Sequence, residues 1–161
     1  MPINIPKIST QLCFESNAED AANFYTSIFK DSEILATYRY GENEPGAPGS
    51  VCYVIFRIAG QEFFAVNGGP SFKFSQGISL YVNCDTQDEI DELWEKLSEG
   101  GQVQACGWLV DKFGVSWQIE AGIVWDMLKD TGTDGARRAL QAVWSMTKID
   151  IETIKRAYAG A

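Results

Sequence analysis

Side chains able to do chemistry gather in one stretch, Ala105–Glu120 (ACGWLVDKFGVSWQIE). It carries the thiol of Cys106, the indoles of Trp108 and Trp117, the amide of Gln118, the hydroxyl of Ser116 and the carboxylates of Asp111 and Glu120. An indole offers a flat apolar wall, an amide both donates and accepts hydrogen bonds, and a thiol becomes a nucleophile where its surroundings favour the thiolate. Cys106, Trp108 and Gln118 are therefore candidates for one ligand-contacting patch, with Gly107 leaving room beside Trp108. Acid–base work would need a carboxylate, thiol or phenol with a shifted pKa, and the candidates are Cys106, Glu120, Glu15 and Tyr81. Histidine is absent, so the commonest base and metal ligand at neutral pH is missing. Cys13, Cys52, Cys84 and Cys106 are too far apart in sequence to form a CxxC metal or redox motif. They read as reduced, buried thiols, Cys106 being the one with a case for reactivity.

The stretch reads as a β-hairpin. Gly107-Trp108-Leu109-Val110 enters a turn at Asp111–Gly114, and Val115–Ile119 leaves it, with β-branched and aromatic residues on both arms. In the exit strand Val115, Trp117 and Ile119 share an apolar face, and Ser116, Gln118 and Glu120 share the other. Asp111 shapes the turn.

Upstream, the order strand, helix, strand, strand, strand occurs twice. Lys7–Glu15 is a strand, and Ser16 or Asn17 caps a helix bearing Ala21, Ala22, Phe24, Tyr25, Ile28 and Phe29. Glu33–Tyr40 is a strand, and Val51–Ile58 with Gln61–Val66 forms a hairpin about Ala59-Gly60. Between them Gly41–Ser50, rich in Gly, Pro and Glu, is either a solvated connector or a mobile flap. Asn67-Gly68-Gly69-Pro70 breaks the chain. The second copy begins with a strand at Gly77–Cys84. Asp85-Thr86 caps a helix running to about Glu99 with Ile90, Leu93, Trp94 and Leu97 as its stripe, and Gly100-Gly101 stops it. A short strand at Gln102–Gln104 precedes the hairpin. From Asp134 the chain is helical: Ala136, Ala139, Leu140, Val143 and Met146 form one stripe, and Asp150 caps a last helix with Ile151, Ile154 and Tyr158. These stripes need a partner, either their own sheet or a second subunit.

At 161 residues and 45% apolar content the chain fits one domain. A net charge of −9, with no basic stripe, argues against nucleic acid. No apolar run is long enough to cross a membrane, and the first residues lack a signal-peptide pattern, so a cytoplasmic location is the expectation.

Paired β-α-β-β-β modules resemble the vicinal oxygen chelate superfamily of glyoxalase I, extradiol dioxygenases and the bleomycin and fosfomycin resistance proteins. More closely, NAEDAANFYTSIF, FAVNGGPSFKFSQGISLYVNC, ELWEKLSEGG, CGWLVDKFGVSWQI and the tail around MTKIDIETIKRAY resemble the PhnB-like, 3-demethylubiquinone-9 3-methyltransferase branch. The resemblance implies an α+β fold: two βαβββ modules (about 7–67 and 77–121) rolled into half-barrel sheets around a shared cavity, followed by a helical tail (about 123–161). It also implies a homodimer. Catalytic relatives hold a divalent metal through His, Gln and Glu. Here the corresponding positions fall near Thr10, at Gly77, within Phe63-Phe64-Ala65 and at Gln118. Only Gln118 keeps a ligand-type side chain, so no metal and no cofactor are expected. Cavity-facing candidates are Gln11, Tyr53, Phe64, Tyr81, Cys106, Trp108 and Gln118, a set suited to a small, fairly flat ligand. The expected function is metal-free small-molecule binding or sequestration. The alternative is a lyase, isomerase or methyltransferase acting on a small molecule.

Overall fold

The computed structural model describes residues 6–129 and 131–161. The chain divides into two units, Met1–Phe74 and Ser75–Ala161.

The first unit runs β1 (Thr10–Phe14), α1 (Ala18–Ile28), β2 (Glu33–Arg39), β3 (Val51–Ile58) and β4 (Gln61–Asn67), with sheet order β1-β4-β3-β2. β1 pairs parallel with β4, and the other neighbours are antiparallel. Alternation sorts the strands into two faces. Leu12, Phe14, Val54, Phe56, Phe63 and Ala65 point to the side covered by α1 and are buried there with Ala21, Ala22 and Tyr25. The rings of Tyr25, Phe56 and Phe63 stack in series at 6.3 and 5.5 Å. Each such side chain contributes roughly 1.5–3 kcal/mol through burial. Asn17 precedes α1 but makes no side-chain cap. The cap comes instead from Asn67 at the end of β4, whose Oδ1 accepts from Ala18 N at 2.9 Å while its Nδ2 donates to Val51 O at 3.0 Å.

The 41–50 segment is held to its own hairpin. Tyr40 N donates to Ser50 O (2.9 Å), and Gly49 N to Tyr40 O (2.7 Å). The Glu44 carboxylate accepts from Gly41 N (2.7 Å) and from the Tyr38 hydroxyl. Gly46 lies flat on the Tyr40 ring, where a Cβ would come within 2.1 Å of it.

The second unit repeats the plan with β5 (Leu80–Cys84), α2 (Gln87–Ser98), β6 (Gln102–Val103), β7 (Trp108–Val110) and β8 (Ser116–Ala121), sheet order β5-β8-β7-β6. β5 is parallel to β8, as β1 is to β4. The expected strand at Gly77–Cys84 is shorter than its sequence pattern, because pairing starts where Leu80 meets Trp117. Thr86 caps α2 through Glu89 N. Leu109, Trp117, Ile119 and Cys84 lie with Ile90, Leu93 and Leu97 in the buried layer. Cys84 is the only buried cysteine; Cys13, Cys52 and Cys106 are half-exposed, which corrects the expectation of four buried thiols.

Asp111 does more than shape the turn. It is 3% exposed, its Oδ1 accepts from Phe113 N (2.8 Å) and Val115 N (3.0 Å), and its Oδ2 accepts from the Trp117 indole (2.8 Å). Gly114 closes the turn at φ +90°, a conformation open to glycine.

Three helices follow: α3 (Ile123–Leu128), α4 (Asp134–Ser145) and α5 (Ile151–Ala159). All three lie in the expected helical tail of about 123–161; the stripes named in the sequence belong to the last two, and Ile123, Val124, Met127 and Leu128 supply α3 with apolar residues. Thr133 caps α4 and Asp150 caps α5. The tail fastens to its own unit. Cys106 N donates to Met146 O (2.8 Å), Gly107 N to Thr147 O (2.9 Å), and the Gln87 amide bonds both Ile149 O (3.0 Å) and Ile151 N (2.9 Å). Among the described residues no helix is long and apolar enough to cross a membrane.

Candidate ligand-binding face

The face of the second sheet that turns away from the Trp117 layer carries Tyr81 and Asn83 from β5, Ser116, Gln118 and Glu120 from β8, and Trp108 from β7. Register puts Tyr81, Gln118 and Trp108 in one row across three strands, and Asn83 beside Glu120 in the next. Tyr81 is 41% exposed, while Trp108 and Gln118 are half-buried. Gln118 Nε2 donates to Ser79 Oγ at 2.7 Å, which fixes the amide and leaves its carbonyl oxygen for other donors. Trp125, in the first turns of α3, stands with its ring 6.0 Å from that of Tyr81 at 52°.

Glu120 is 6% exposed. Burial alone pushes its carboxyl up to about 7, as expected for a charge moved out of water without a compensating partner. One carboxylate oxygen lies against Gly107: a Cβ there would meet Glu120 Oε1 at 2.8 Å, Ile119 O at 2.6 Å and Ile149 Cγ1 at 3.1 Å. Gly107 therefore leaves no room beside Trp108, contrary to expectation. Its missing side chain is filled by Glu120, the β8 backbone and the tail. The Tyr81 phenol is pushed up to about 12, by burial first and then by the charge of Glu120, against an opposing hydrogen bond with Trp125. Burial, then the charges of Glu89, Asp85 and Glu120, raises the Cys84 thiol to about 12. Of the four acid–base candidates, Glu120 alone is a buried carboxylate titrating near neutrality. Glu15 is exposed and loosely paired with Lys73 at 4.0 Å. Cys106, at φ +58°, directs its Sγ to Trp144 O (3.6 Å) at the end of α4.

The first unit gathers its own predicted residues. Gln11 and Phe64 are register partners, and Tyr53 lies on the same face, stacked on Tyr38 at 5.3 Å and 10°. Gln11 is exposed, with its amide on Cys13 Sγ at 3.6 Å. Thus Gln11, Tyr53 and Phe64 share one sheet face, and Tyr81, Trp108 and Gln118 share another. Sequence reasoning missed Trp125. It also missed a shallow depression at the β3–β4 turn, lined by Pro6, Ala59, Gly60, Gln61 and Glu62, where Glu62 Oε2 is buried without a partner.

The metal-ligand positions implied by resemblance do not make a donor set. Thr10 opens β1, Gly77 precedes β5, Phe64 is aromatic, and the Gln118 amide is bonded to Ser79. Among the described residues no three His, Cys, Asp or Glu side chains come together as a metal-binding group.

The family model described as 3-demethylubiquinone-9 3-methyltransferase matches residues 6–120. A PhnB protein from Bacillus cereus is 43% identical with a TM-score of 0.67, over 72% of this chain and 99% of that one. A Pseudomonas aeruginosa protein is 23% identical with a TM-score of 0.62, over 73% and 98%. The fosfomycin resistance protein FosX from Listeria monocytogenes, in complex with Mn(II) and sulfate, is 14% identical with a TM-score of 0.53, over 79% and 98%. The last two share the fold alone. Among curated proteins none matches. Because the family match ends at residue 120, the tail stretch MTKIDIETIKRAY falls outside it.

Proposed function

The chain belongs to the 3-demethylubiquinone-9 3-methyltransferase (PhnB-like) family of the vicinal oxygen chelate superfamily, and from that premise we propose that it binds a small, fairly flat aromatic or amphipathic molecule without a metal, as a homodimer in the cytoplasm. The observation that carries this reading is the row Tyr81–Gln118–Trp108: two rings flanking an amide held by Ser79, on a sheet face away from the apolar layer. Rings supply apolar contact and the amide supplies orientation, the usual division of labour in a small-molecule site. A neutral amide is a poor ligand for a divalent cation and a good partner for a neutral polar group.

The test is a screen of small aromatic and amphipathic compounds by tryptophan fluorescence, with Trp108→Phe as control. Quenching that saturates and loses most of its amplitude in Trp108→Phe supports the reading. A screen without saturable quenching sinks it.

A second reading, catalysis, is favoured by Glu120, a buried carboxylate near neutrality, as a general base or acid would require. The methyl transfer of the family's description would be one such chemistry. However, neither glycine pair forms a glycine-rich strand-to-helix turn: Gly68 N bonds Phe14 O at the end of β4, and Gly100 at φ +71° ends α2. If the protein is an enzyme, Glu120→Gln abolishes turnover while leaving ligand quenching of Trp108 in place. Unchanged turnover in that variant removes Glu120 from the chemistry.

A further inference from the structure

We infer that Tyr81 and Trp125 form a corner that selects a flat organic cation, such as a protonated or quaternary heteroaromatic amine. The inference deepens the binding reading above and rests on it. Three observations converge. First, the two rings meet at a tilt, with centroids 6.0 Å apart at 52°. Their exposures, 41% for Tyr81 and 51% for Trp125, are high for large aromatic side chains, which usually bury most of their surface. The faces of both rings carry the negative part of their quadrupole and attract a cation placed over them. Second, a buried carboxylate, Glu120, sits on the same sheet face as Tyr81, close enough for its charge to raise the Tyr81 phenol, and no cation is paired with it. The other groups around it are uncharged or engaged: Asn83 and Gly107 are neutral, and Ile149 is apolar. Of the charged residues beside Ile149, Lys148 pairs with Asp91 at 2.6 Å and Asp150 caps α5. Third, the chain carries a net charge of −9, which draws cationic solutes from a distance.

Trp125 lies beyond residue 120, where the family match ends. The corner therefore joins a residue of the tail to the row made by Tyr81, Gln118 and Trp108. It would give a general small-molecule face a charge preference. The Tyr81 edge and the Gln118 carbonyl remain available to the body of the ligand, while the cationic end sits against the Trp125 ring.

The test compares N-methylquinolinium with quinoline, its uncharged counterpart near neutral pH, by calorimetry on the full-length protein at low salt. We expect the cation to bind about tenfold more tightly. In Trp125→Ala that preference should fall about fivefold, and in Trp125→Phe most of it should remain, with circular dichroism confirming the fold. Added salt should shrink the preference as well. Equal affinity for both probes, or an undiminished preference in Trp125→Ala, overturns the inference. If both probes bind equally and quench Trp108, the broader binding reading survives and this one falls. If the compound screen gives no saturable quenching at all, the broader reading falls first.

Discussion

Replacing Glu120 by Gln isolates the cost of an unpartnered carboxylate in the second unit. Its folded pKa is about 7 against a usual 4.5. The folded state therefore binds the proton more tightly than the unfolded chain, and stability falls as pH rises between those two values. Below about 4.5 the carboxyl is protonated in both states and costs nothing extra. Above about 7 it must be ionised in both, and the penalty is complete. A shift of this size corresponds to roughly 3 kcal/mol at about 1.4 kcal/mol per unit, and water reaching the Tyr81 side screens part of it, leaving about 2 kcal/mol. Gln keeps the shape and cannot ionise. Urea unfolding of wild type and Glu120→Gln at about pH 4 and about pH 8 should therefore show near-equal stability at the acid point and a variant about 2 kcal/mol more stable at the alkaline one. Titrations of groups shared by both proteins cancel in the difference. A stability difference that does not change with pH would refute the reasoning, and a variant less stable at the alkaline point would reveal a cationic partner for Glu120.

Three further outcomes follow from the geometry. Asp111→Ala removes the acceptor of three hydrogen bonds and strands the Trp117 indole N–H, so chemical denaturation should show a loss of about 3 kcal/mol or more. Gly107→Ala places a Cβ 2.6 Å from Ile119 O at φ +72°, and thermal unfolding should show at least about 2 kcal/mol of destabilisation. If the proposed homodimer is held by its tail, a chain cut before Asp134 should run as a monomer in light scattering, with the far-ultraviolet signal of the sheets as a folding control; a truncated chain that still has the mass of a dimer refutes that placement.

Much of the fold is legible in the sequence because it depends on local signals. Alternation in VCYVIFRI and VSWQI, the Thr86 cap and the Gly100-Gly101 stop each act within a few residues, and the repeat follows from their order. Misreadings arise where a distant residue decides. Asn67 looks like a loop breaker, yet it caps a helix whose first residue is 49 positions away. Gly77–Ser79 has strand character, but a strand extends only as far as its neighbour, and β8 begins at Ser116. Gly107 reads as spare volume beside Trp108, whereas Glu120 and Ile149 fill that volume from either side. Asp111 is visible as a turn residue, but its bond to Trp117 depends on the indole turning back across the hairpin. For the site, residue types and shared faces could be read from periodicity. The depth of Glu120 could not, because burial depends on elements far along the chain.

The tail meets the 106–107 turn through main-chain groups, with Met146 O and Thr147 O accepting from Cys106 N and Gly107 N. Contacts of that kind ask little of residue identity: almost any sequence able to follow the same path could make them. The side-chain ties of the tail, Gln87 to Ile149 O and Ile151 N and Lys148 to Asp91, are few. The region beyond residue 120 is thus where a shared scaffold could acquire new preferences at small evolutionary cost.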